Sequence, residues 1–181
     1  MKVSLRAPVA ADATFWADLR AEPSARAVMP LAALSEAQLR ARLVAASGPV
    51  FLGDEEESLR IVCADDDPVG LVGARQRSAM MQSAELSVQI AGPYRRRGIA
   101  AVALQAWTGL LFDAGYRRLW ATVSADNAAS RALWSRLGFM QEGVLRQHYL
   151  IEGRAVDQLI YGQLRSERTM PPQPAVVCKE N

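Results

Sequence analysis

The sequence predicts an α/β fold of the α+β type, with one central mixed sheet flanked by helices. Three observations support this prediction. Strands come first, a strand–helix–strand–helix unit follows, and two strands end the pattern. Each helix of that unit is closed by a glycine, which is typical of helix C-termini. The chain has no internal repeat and no composition break that marks a second domain.

The first half of the chain contains four predicted strands and two predicted helices. The strands cover residues 2–6, 59–64, 69–74 and 84–90, and the helices cover 12–20 and 35–47. Ser35 is a suitable N-cap for the second helix, which ends before Gly48. The acidic turn at residues 65–67 joins the second and third strands into a hairpin.

The clearest helical pattern of the sequence begins after Gly98. Between Ile99 and Ala114, apolar residues fill every position of one helical face, and Gly115 follows as a terminator. A strand at 119–124 and a helix at 127–137 come next, and strands at 139–150 and 155–164 complete the pattern. The count is therefore about seven strands and about four helices.

Composition limits the classes of function. The chain has 181 residues, a formal net charge of +2, two cysteines and a single histidine. The cysteines and the histidine are not spaced as metal ligands are. A net charge this small gives no reason to expect a nucleic-acid partner. No apolar run is long enough to span a membrane. We therefore expect a cytoplasmic protein without a metal site. One domain is predicted for residues 1–164, with a flexible tail at 165–181 that includes Pro171, Pro172 and Pro174.

The junction at residues 97–100 predicts an anion site. A strand that runs into a glycine-containing turn and then a helix presents unpaired N–H groups and the positive end of the helix dipole. Gly98 and Ala100 are small, so a ligand can approach the backbone closely. The junction lacks the Gly-Lys-Ser/Thr ending of a P-loop and the G-x-G-x-x-G dinucleotide turn. The alternative is that residues 95–97 form only a solvated basic corner.

Four short motifs occur in order after residue 84. They are Arg95-Arg96-Arg97-Gly98-Ile99-Ala100, Asn127-Ala128-Ala129-Ser130, Leu137-Gly138-Phe139, and Arg154-Ala155-Val156-Asp157 with Tyr161. In this order the motifs resemble those of the GNAT superfamily of acyl-CoA N-acyltransferases, particularly its ribosomal-protein N-terminal acetyltransferase branch. The resemblance implies a mostly antiparallel GNAT sheet that is splayed between its fourth and fifth strands. It also implies acetyl-CoA as the acyl donor.

The resemblance further implies where coenzyme A would bind. The pantetheine arm would lie in the splay, and the pyrophosphate would accept N–H bonds from residues 96–101. The implied cofactor-binding residues are Val88, Gln89, Ile90, Arg95, Arg96, Arg97, Gly98, Ile99, Ala100, Ala101, Asn127, Ser130 and Trp134.

Acetyl transfer to an amine requires removal of a proton, stabilisation of the carbonyl oxygen and departure of a thiolate. Glu85 is the candidate base, although it could equally be a structurally paired carboxylate. A backbone N–H near Val88 or Gln89 would serve as the oxyanion donor. Trp134 occupies the position where many relatives have a tyrosine acid, and an indole N–H cannot play that part. Ser130 is the second catalytic candidate, with helix capping as the alternative.

The acceptor stays open at this level. A protein N-terminus, a small amine and an antibiotic amine all fit, and so does a non-catalytic acyl-CoA-binding module of the same fold. Tyr149, Tyr161 and His148 are possible substrate-side groups, and we place Trp16 and Met29 in N-terminal helices, with core packing favoured for Trp16. The acidic runs 54–57 and 65–67 are interpreted as a loop and a turn. We expect a monomer or a homodimer that binds neither nucleic acid nor membrane.

Overall fold

A computed structural model describes residues 1–54 and 57–168. Its seven strands are β1 (Val3–Arg6), β2 (Glu57–Ala64), β3 (Asp67–Ser78), β4 (Ser83–Ile90), β5 (Arg118–Ser124), β6 (Met140–Ile151) and β7 (Arg154–Leu164). Its helices are α1 (Asp12–Ala21), α2 (Pro23–Arg26), α3 (Glu36–Ala45), α4 (Ile99–Asp113) and α5 (Ala128–Arg136). All seven predicted strands and all four predicted helices are present. The one-turn helix α2 was not predicted.

The strands form one sheet in the order β1-β2-β3-β4-β5-β7-β6. Every neighbouring pair is antiparallel except β4 and β5, which are parallel. This pair is bonded only where residues 83–85 of β4 face residues 118–120 of β5. Beyond Glu85 and Trp120 both strands continue without pairing to each other. The predicted splay between the fourth and fifth strands is therefore present.

Two apolar clusters hold helices against opposite faces of the sheet. The larger cluster contains Leu104, Trp107 and Leu111 of α4, and the smaller one is built from α1 and α3. Trp16 is buried in the smaller cluster, with the Arg42 guanidinium over its ring, which confirms core packing as its role. Ser35 caps α3 as predicted and forms a reciprocal capping box with Gln38. The larger cluster also includes Ile90 and Val123 from the splayed ends of β4 and β5.

The acidic turn agrees with its prediction, whereas the start of the predicted tail is ordered. The acidic turn at Asp65 and Asp66 is a tight hairpin with left-handed backbone at both positions, as expected for a turn rather than a substrate site. Of the predicted tail, residues 165–167 form a 3-10 turn, and Arg168 pairs with Asp113 at the end of α4. Residues 169–181, with the three tail prolines and Cys178, lie outside the described residues, as do Glu55 and Glu56.

Within the described part of the chain, no helix has both the length and the apolar content that crossing a membrane requires. The same residues contain no group of three or more His, Cys, Asp and Glu side chains placed to hold a metal ion.

Candidate active site

The loop before α4 has the backbone of an anion cradle. β4 ends at Ile90, a short 3-10 turn covers Gly92–Tyr94, and α4 begins at Ile99. Arg96 and Gly98 adopt positive φ angles of 61° and 79°, which turn successive N–H groups toward one side. The N–H groups of residues 96–100 donate to no acceptor among the described residues. They are therefore free for a ligand at the positive end of the α4 dipole.

A first cavity, of about 560 Å³, opens over this loop. One of its walls is the loop and the start of α4, and the opposite wall is α5. Val88 and Ile90 of β4 form its inner end at the splay. We call this the donor cavity. Its described lining residues are Val88, Ile90, Tyr94, Arg95, Arg96, Gly98, Ile99, Ala100, Ala101, Asn127, Ala129, Ser130, Ala132, Leu133 and Arg136.

The three arginines of the loop do different things. Arg95 donates to the carbonyl of Ile90 at 2.7 Å and also contacts Ser24 and the carboxylate of Glu22, so it ties the loop to the end of α1. The Arg97 guanidinium lies 5.6 Å from the centre of the Tyr94 ring. Arg96 is exposed and lines the donor cavity without a bond to another described residue. Only Arg96 of the three is therefore available to an anion without losing a protein partner.

Asn127 and Ser130 form the start of α5 on the opposite wall. The Asn127 side chain accepts from the backbone N–H of Ser130 at 3.0 Å and so caps the helix. Capping is therefore performed by Asn127, and the Ser130 hydroxyl bonds to no described residue. Ala101, which was expected to donate to the pyrophosphate, instead donates its N–H to the Gly98 carbonyl at 3.1 Å.

A second cavity, of about 540 Å³, lies on the other side of the splay, and we call it the acceptor cavity. It shares Val88, Asn127 and Ser130 with the donor cavity, so the two spaces meet at these residues. Its walls come from the segment after α2, the splayed ends of β4 and β5, and the β6–β7 hairpin. A ligand threaded through the splay would thus present its end to a second ligand.

Glu85 lies on the acceptor side, at the last position where β4 pairs with β5. Its side chain is buried, with the residue only 2% exposed. Arg75 of β3 donates to both of its oxygens, Nε to Oε2 at 2.8 Å and Nη2 to Oε1 at 2.9 Å. The Thr122 hydroxyl also donates to Oε1, at 2.7 Å. These bonds to Glu85 are the main reason that the pKa of Arg75 is raised above its ordinary value. Glu85 is therefore both structurally paired and part of the cavity wall.

A chain of hydroxyl groups leads from Glu85 into the acceptor cavity. Tyr149 of β6 donates to the Thr122 hydroxyl at 3.1 Å, and Gln158 of β7 donates its side-chain N–H to Tyr149 at 2.7 Å. Every donor in this chain therefore points toward the Glu85 carboxylate. Nearby, the Ser124 hydroxyl at the end of β5 is buried in the cavity wall and has no partner among the described residues.

The remaining predicted residues divide between the site and the core. His148 is exposed and lines the acceptor cavity, as does Met29, which lies in the loop after α2 and not in a helix as we expected. Trp134 is buried, packs edge-on against Phe139 and lines the acceptor cavity. Tyr161 is a core residue and lines neither cavity.

The side chain of Gln89 is engaged away from the two cavities. Its side chain crosses to α1 and donates to the Leu19 carbonyl at 2.8 Å, and the residue lines neither cavity. In the acidic run 54–57, Asp54 accepts from the backbone N–H of Ala79, and Glu57 forms an ion pair with Arg42. These two carboxylates serve the fold, as the loop interpretation predicted.

Sequence reasoning missed several residues of the site. Arg136, at the end of α5, is the second exposed cation of the donor cavity. Thr122, Ser124 and Gln158 complete the acceptor cavity from β5 and β7. Thr122 and Ser124 could have been found from the alternation of β5, since they share a face of that strand two residues apart. Arg136 carries no such signal, because a basic residue in the last turn of a helix is common.

Two cavities that meet through a gap in a splayed sheet, one of them beside unpaired N–H groups at a helix start, form a site that could bring two ligands together. The model of the acetyltransferase (GNAT) domain family matches residues 2–140. The chain therefore belongs to the GNAT acetyltransferase family, a family of acyltransferases.

Individual relatives agree with the family but differ in what they acetylate. An uncharacterized N-acetyltransferase of Bacillus subtilis, YoaA, is 32% identical over 94 residues, which are 51% of this chain and 53% of that protein. The chain thus covers about half the length of this curated relative.

Two solved structures share the fold. One is RimL, a ribosomal L7/L12 α-N-protein acetyltransferase in complex with coenzyme A (18% identity, TM-score 0.78, 91% of this chain and 94% of that one). The other is a chimera of the Vibrio cholerae spermidine N-acetyltransferase SpeG with hSSAT (22%, 0.80, 93% and 98%).

Proposed function

We propose that this protein transfers the acetyl group of acetyl-CoA directly to a primary amine, a protein N-terminus or a small amine, in a ternary complex. The single observation that carries the proposal is the meeting of the two cavities at Val88, Asn127 and Ser130. One cavity has the donors for a pyrophosphate and the other has a carboxylate for an amine. An acyl group at the junction would be within reach of both.

The donor cavity fits coenzyme A. The unpaired N–H groups of residues 96–100 would hold the pyrophosphate, and a Cβ on Gly98 would meet no heavy atom within 4 Å, so the space beside that backbone is open. Arg96 and Arg136 would add a favourable field. The edge of β4 from Val88 to Ile90 is unpaired on the splayed side and offers backbone groups to the pantetheine amides. Coenzyme A thus brings an activated thioester to the junction.

An ammonium group first loses one proton to the solvent, because it has no lone pair. The neutral amine nitrogen then bonds to the acetyl carbon, and the carbon–sulfur bond breaks to release the thiolate. As the new bond forms, the protons on nitrogen become strongly acidic and must be taken up. Glu85 is the proposed acceptor of that proton. Its charge, stabilised by Arg75, also attracts the incoming ammonium group.

The hydroxyl chain supplies a route for the proton. The Tyr149 oxygen can accept from both the amine and Gln158 while it donates to Thr122. One proton then passes from the amine to Tyr149, a second from Tyr149 to Thr122, and a third from Thr122 to Glu85. This route lets a buried, ion-paired carboxylate act on an amine that it does not contact.

Departure of the thiolate needs a donor, because Trp134 cannot supply a proton. The Ser130 hydroxyl is unpartnered, partly buried and shared by both cavities. We assign to it a hydrogen bond to the sulfur as negative charge develops there. A thiol of ordinary acidity is a good enough leaving group for this assistance to suffice.

The test measures thiol release from acetyl-CoA over a panel of amines. Glu85→Gln should lower kcat about a hundredfold, because a general base typically contributes that much or more. Tyr149→Phe should lower kcat about tenfold, because it breaks the proton route, with KM for acetyl-CoA unchanged. His148→Ala is the matched control, since His148 lines the same cavity outside the hydroxyl chain.

A non-catalytic acyl-CoA-binding module remains the competing function. It predicts tight CoA binding with no amine-dependent release above the Glu85→Gln background. That result would refute the proposed enzyme while leaving the donor cavity intact. Equal loss of kcat in Tyr149→Phe and His148→Ala would refute the proton route alone.

A further inference from the structure

The acceptor cavity carries almost no unpaired charge. Among its described lining residues Glu85 is the only carboxylate, and Arg75 is the only side chain that is cationic at every physiological pH. These two side chains are paired with each other through two hydrogen bonds. The charges of these two side chains therefore cancel, and among the described lining residues only one carboxylate faces an incoming ammonium.

The nearby carboxylates are engaged elsewhere. Asp157 accepts from the backbone N–H of Gln147, Asp126 pairs with Arg154, and Glu22 pairs with Arg95 on the donor side. None of these three acidic residues lines the acceptor cavity. A second positive charge on the acceptor would consequently lose hydration without gaining a partner.

The rest of the cavity wall combines uncharged polar groups with a set of apolar side chains. Val28, Met29 and Leu31 come from the segment after α2, Trp120 from β5, Leu145 from β6 and Ile160 from β7. All are partly exposed to solvent, and Leu145 is 41% exposed. Such a surface gains free energy by covering an apolar group of the acceptor.

We infer that the acceptor is a monocationic primary amine with an apolar group beside the amine, and that polyamines are poor acceptors. This inference rests on the proposed acetyl transfer to amines. The apolar group can belong to the first residues of a peptide or to a free small amine. Both sources share the chemistry that the cavity selects, one ammonium and an apolar body.

The test compares acceptors matched in size. With acetyl-CoA saturating, kcat/KM is measured for pentylamine against 1,5-diaminopentane, which differ by one terminal amine. A second arm compares peptides that begin with Leu-Ala and with Lys-Ala, and spermidine is included. The monocation should be favoured at least tenfold in both arms, and the faster arm identifies the source of the acceptor.

A designed carboxylate should reverse part of this selectivity. Leu145→Glu places an unpaired negative charge in the wall, and we expect the ratio of 1,5-diaminopentane to pentylamine kcat/KM to rise at least threefold. Leu145→Gln is the matched control, which should leave the ratio within a factor of about 1.5 of the wild-type value.

The possible failures are distinguishable. If the wild-type protein turns over diamines or spermidine as well as the monocations, the inference is wrong and the proposed transferase stands. If no amine of any charge increases thiol release, the proposed function fails and this inference fails with it. An unchanged ratio in Leu145→Glu would show that charge in the wall does not select the acceptor.

Discussion

The two cavities are built in opposite ways. The donor cavity depends on backbone: its anion site comes from five consecutive residues, 96–100, at one strand–helix junction. The acceptor cavity depends on side chains, which come from the α2 loop, from five different strands and from α5. A local backbone site tolerates change in most side chains, whereas an assembled site changes its ligand with any one of them.

Gly98→Val should have the largest effect among the tests of this contrast between a backbone site and a side-chain site. Valine disfavours the left-handed backbone at φ 79°, at a cost of about 1–2 kcal/mol, and would turn the N–H groups away from the ligand. We expect the Kd for coenzyme A to rise at least a hundredfold by calorimetry. Gly153→Val is the matched control, since Gly153 has φ 77° in the β6–β7 turn and open space around it.

The Gly153→Val control distinguishes the general effect of backbone strain on stability from a specific effect on coenzyme A binding. Gly153→Val should lower thermal stability to a similar extent and leave the Kd within about twofold. Arg96→Ala should weaken binding less than Gly98→Val does. The reverse ranking would mean that side-chain charge, and not backbone, holds the anion.

A smaller effect is expected where the cavities meet. Ser130→Ala removes a hydrogen bond to developing charge, of about 1.5 kcal/mol, which corresponds to roughly a tenfold loss of kcat. The Kd for coenzyme A should stay nearly constant. Ser135→Ala, on the same helix but outside both cavities, is the control. If the two variants lose activity equally, Ser130 has no specific part in the reaction.

Substitutions of the arginines around the donor cavity should differ in their effects on ligand binding and on stability, although each removes one positive charge. Arg96→Ala and Arg136→Ala should each weaken coenzyme A binding about threefold to tenfold, less so at high salt, with unchanged stability. Arg95→Ala should instead lower the free energy of unfolding by about 1–2 kcal/mol, because it removes the bonds of Arg95 to Ile90, Ser24 and Glu22. A double-mutant cycle with Glu22→Gln measures that coupling. Identical behaviour of all three variants would contradict the separation.

The smallest predicted effect concerns an ion pair between Arg118 and Glu142, a residue of the β6–β7 hairpin that lines the acceptor cavity. Hydrogen bonding to Arg118 is the main reason that the pKa of Glu142 lies below its ordinary value near 4.5. The pair therefore stabilises the fold above about pH 4.5, and this contribution is lost as the pH falls through the lower folded-state pKa. Solvent screening limits it to less than about 1 kcal/mol.

Glu142→Gln is the variant that tests this pair. It should lower the midpoint of urea unfolding at pH 7 and leave it nearly unchanged at pH 3. An equal loss at both pH values would mean that packing, and not charge, matters there.

Much of the fold and half of the site could be predicted from the sequence. Helix α4 and the cradle at Gly98 are local: a glycine, an apolar face and a strand–helix order within about twenty residues determine them. The predicted α4 starts at the observed first residue, Ile99, and ends one residue beyond the observed last residue, Asp113. Arg95 shows the limit of this reasoning, since its partners Glu22 and Ser24 are more than seventy residues away.

The sequence by itself determined the element order, the family resemblance and the anion cradle, because each depends on residues that are close along the chain. Only the tertiary structure decided that Arg75 and Thr122 donate hydrogen bonds to Glu85. It also decided that Gln158 donates to Tyr149 and Tyr149 to Thr122. Those contacts join strands whose pairing and register are set by burial of the whole sheet. For the same reason, the charge balance of the acceptor wall is visible only in the folded chain.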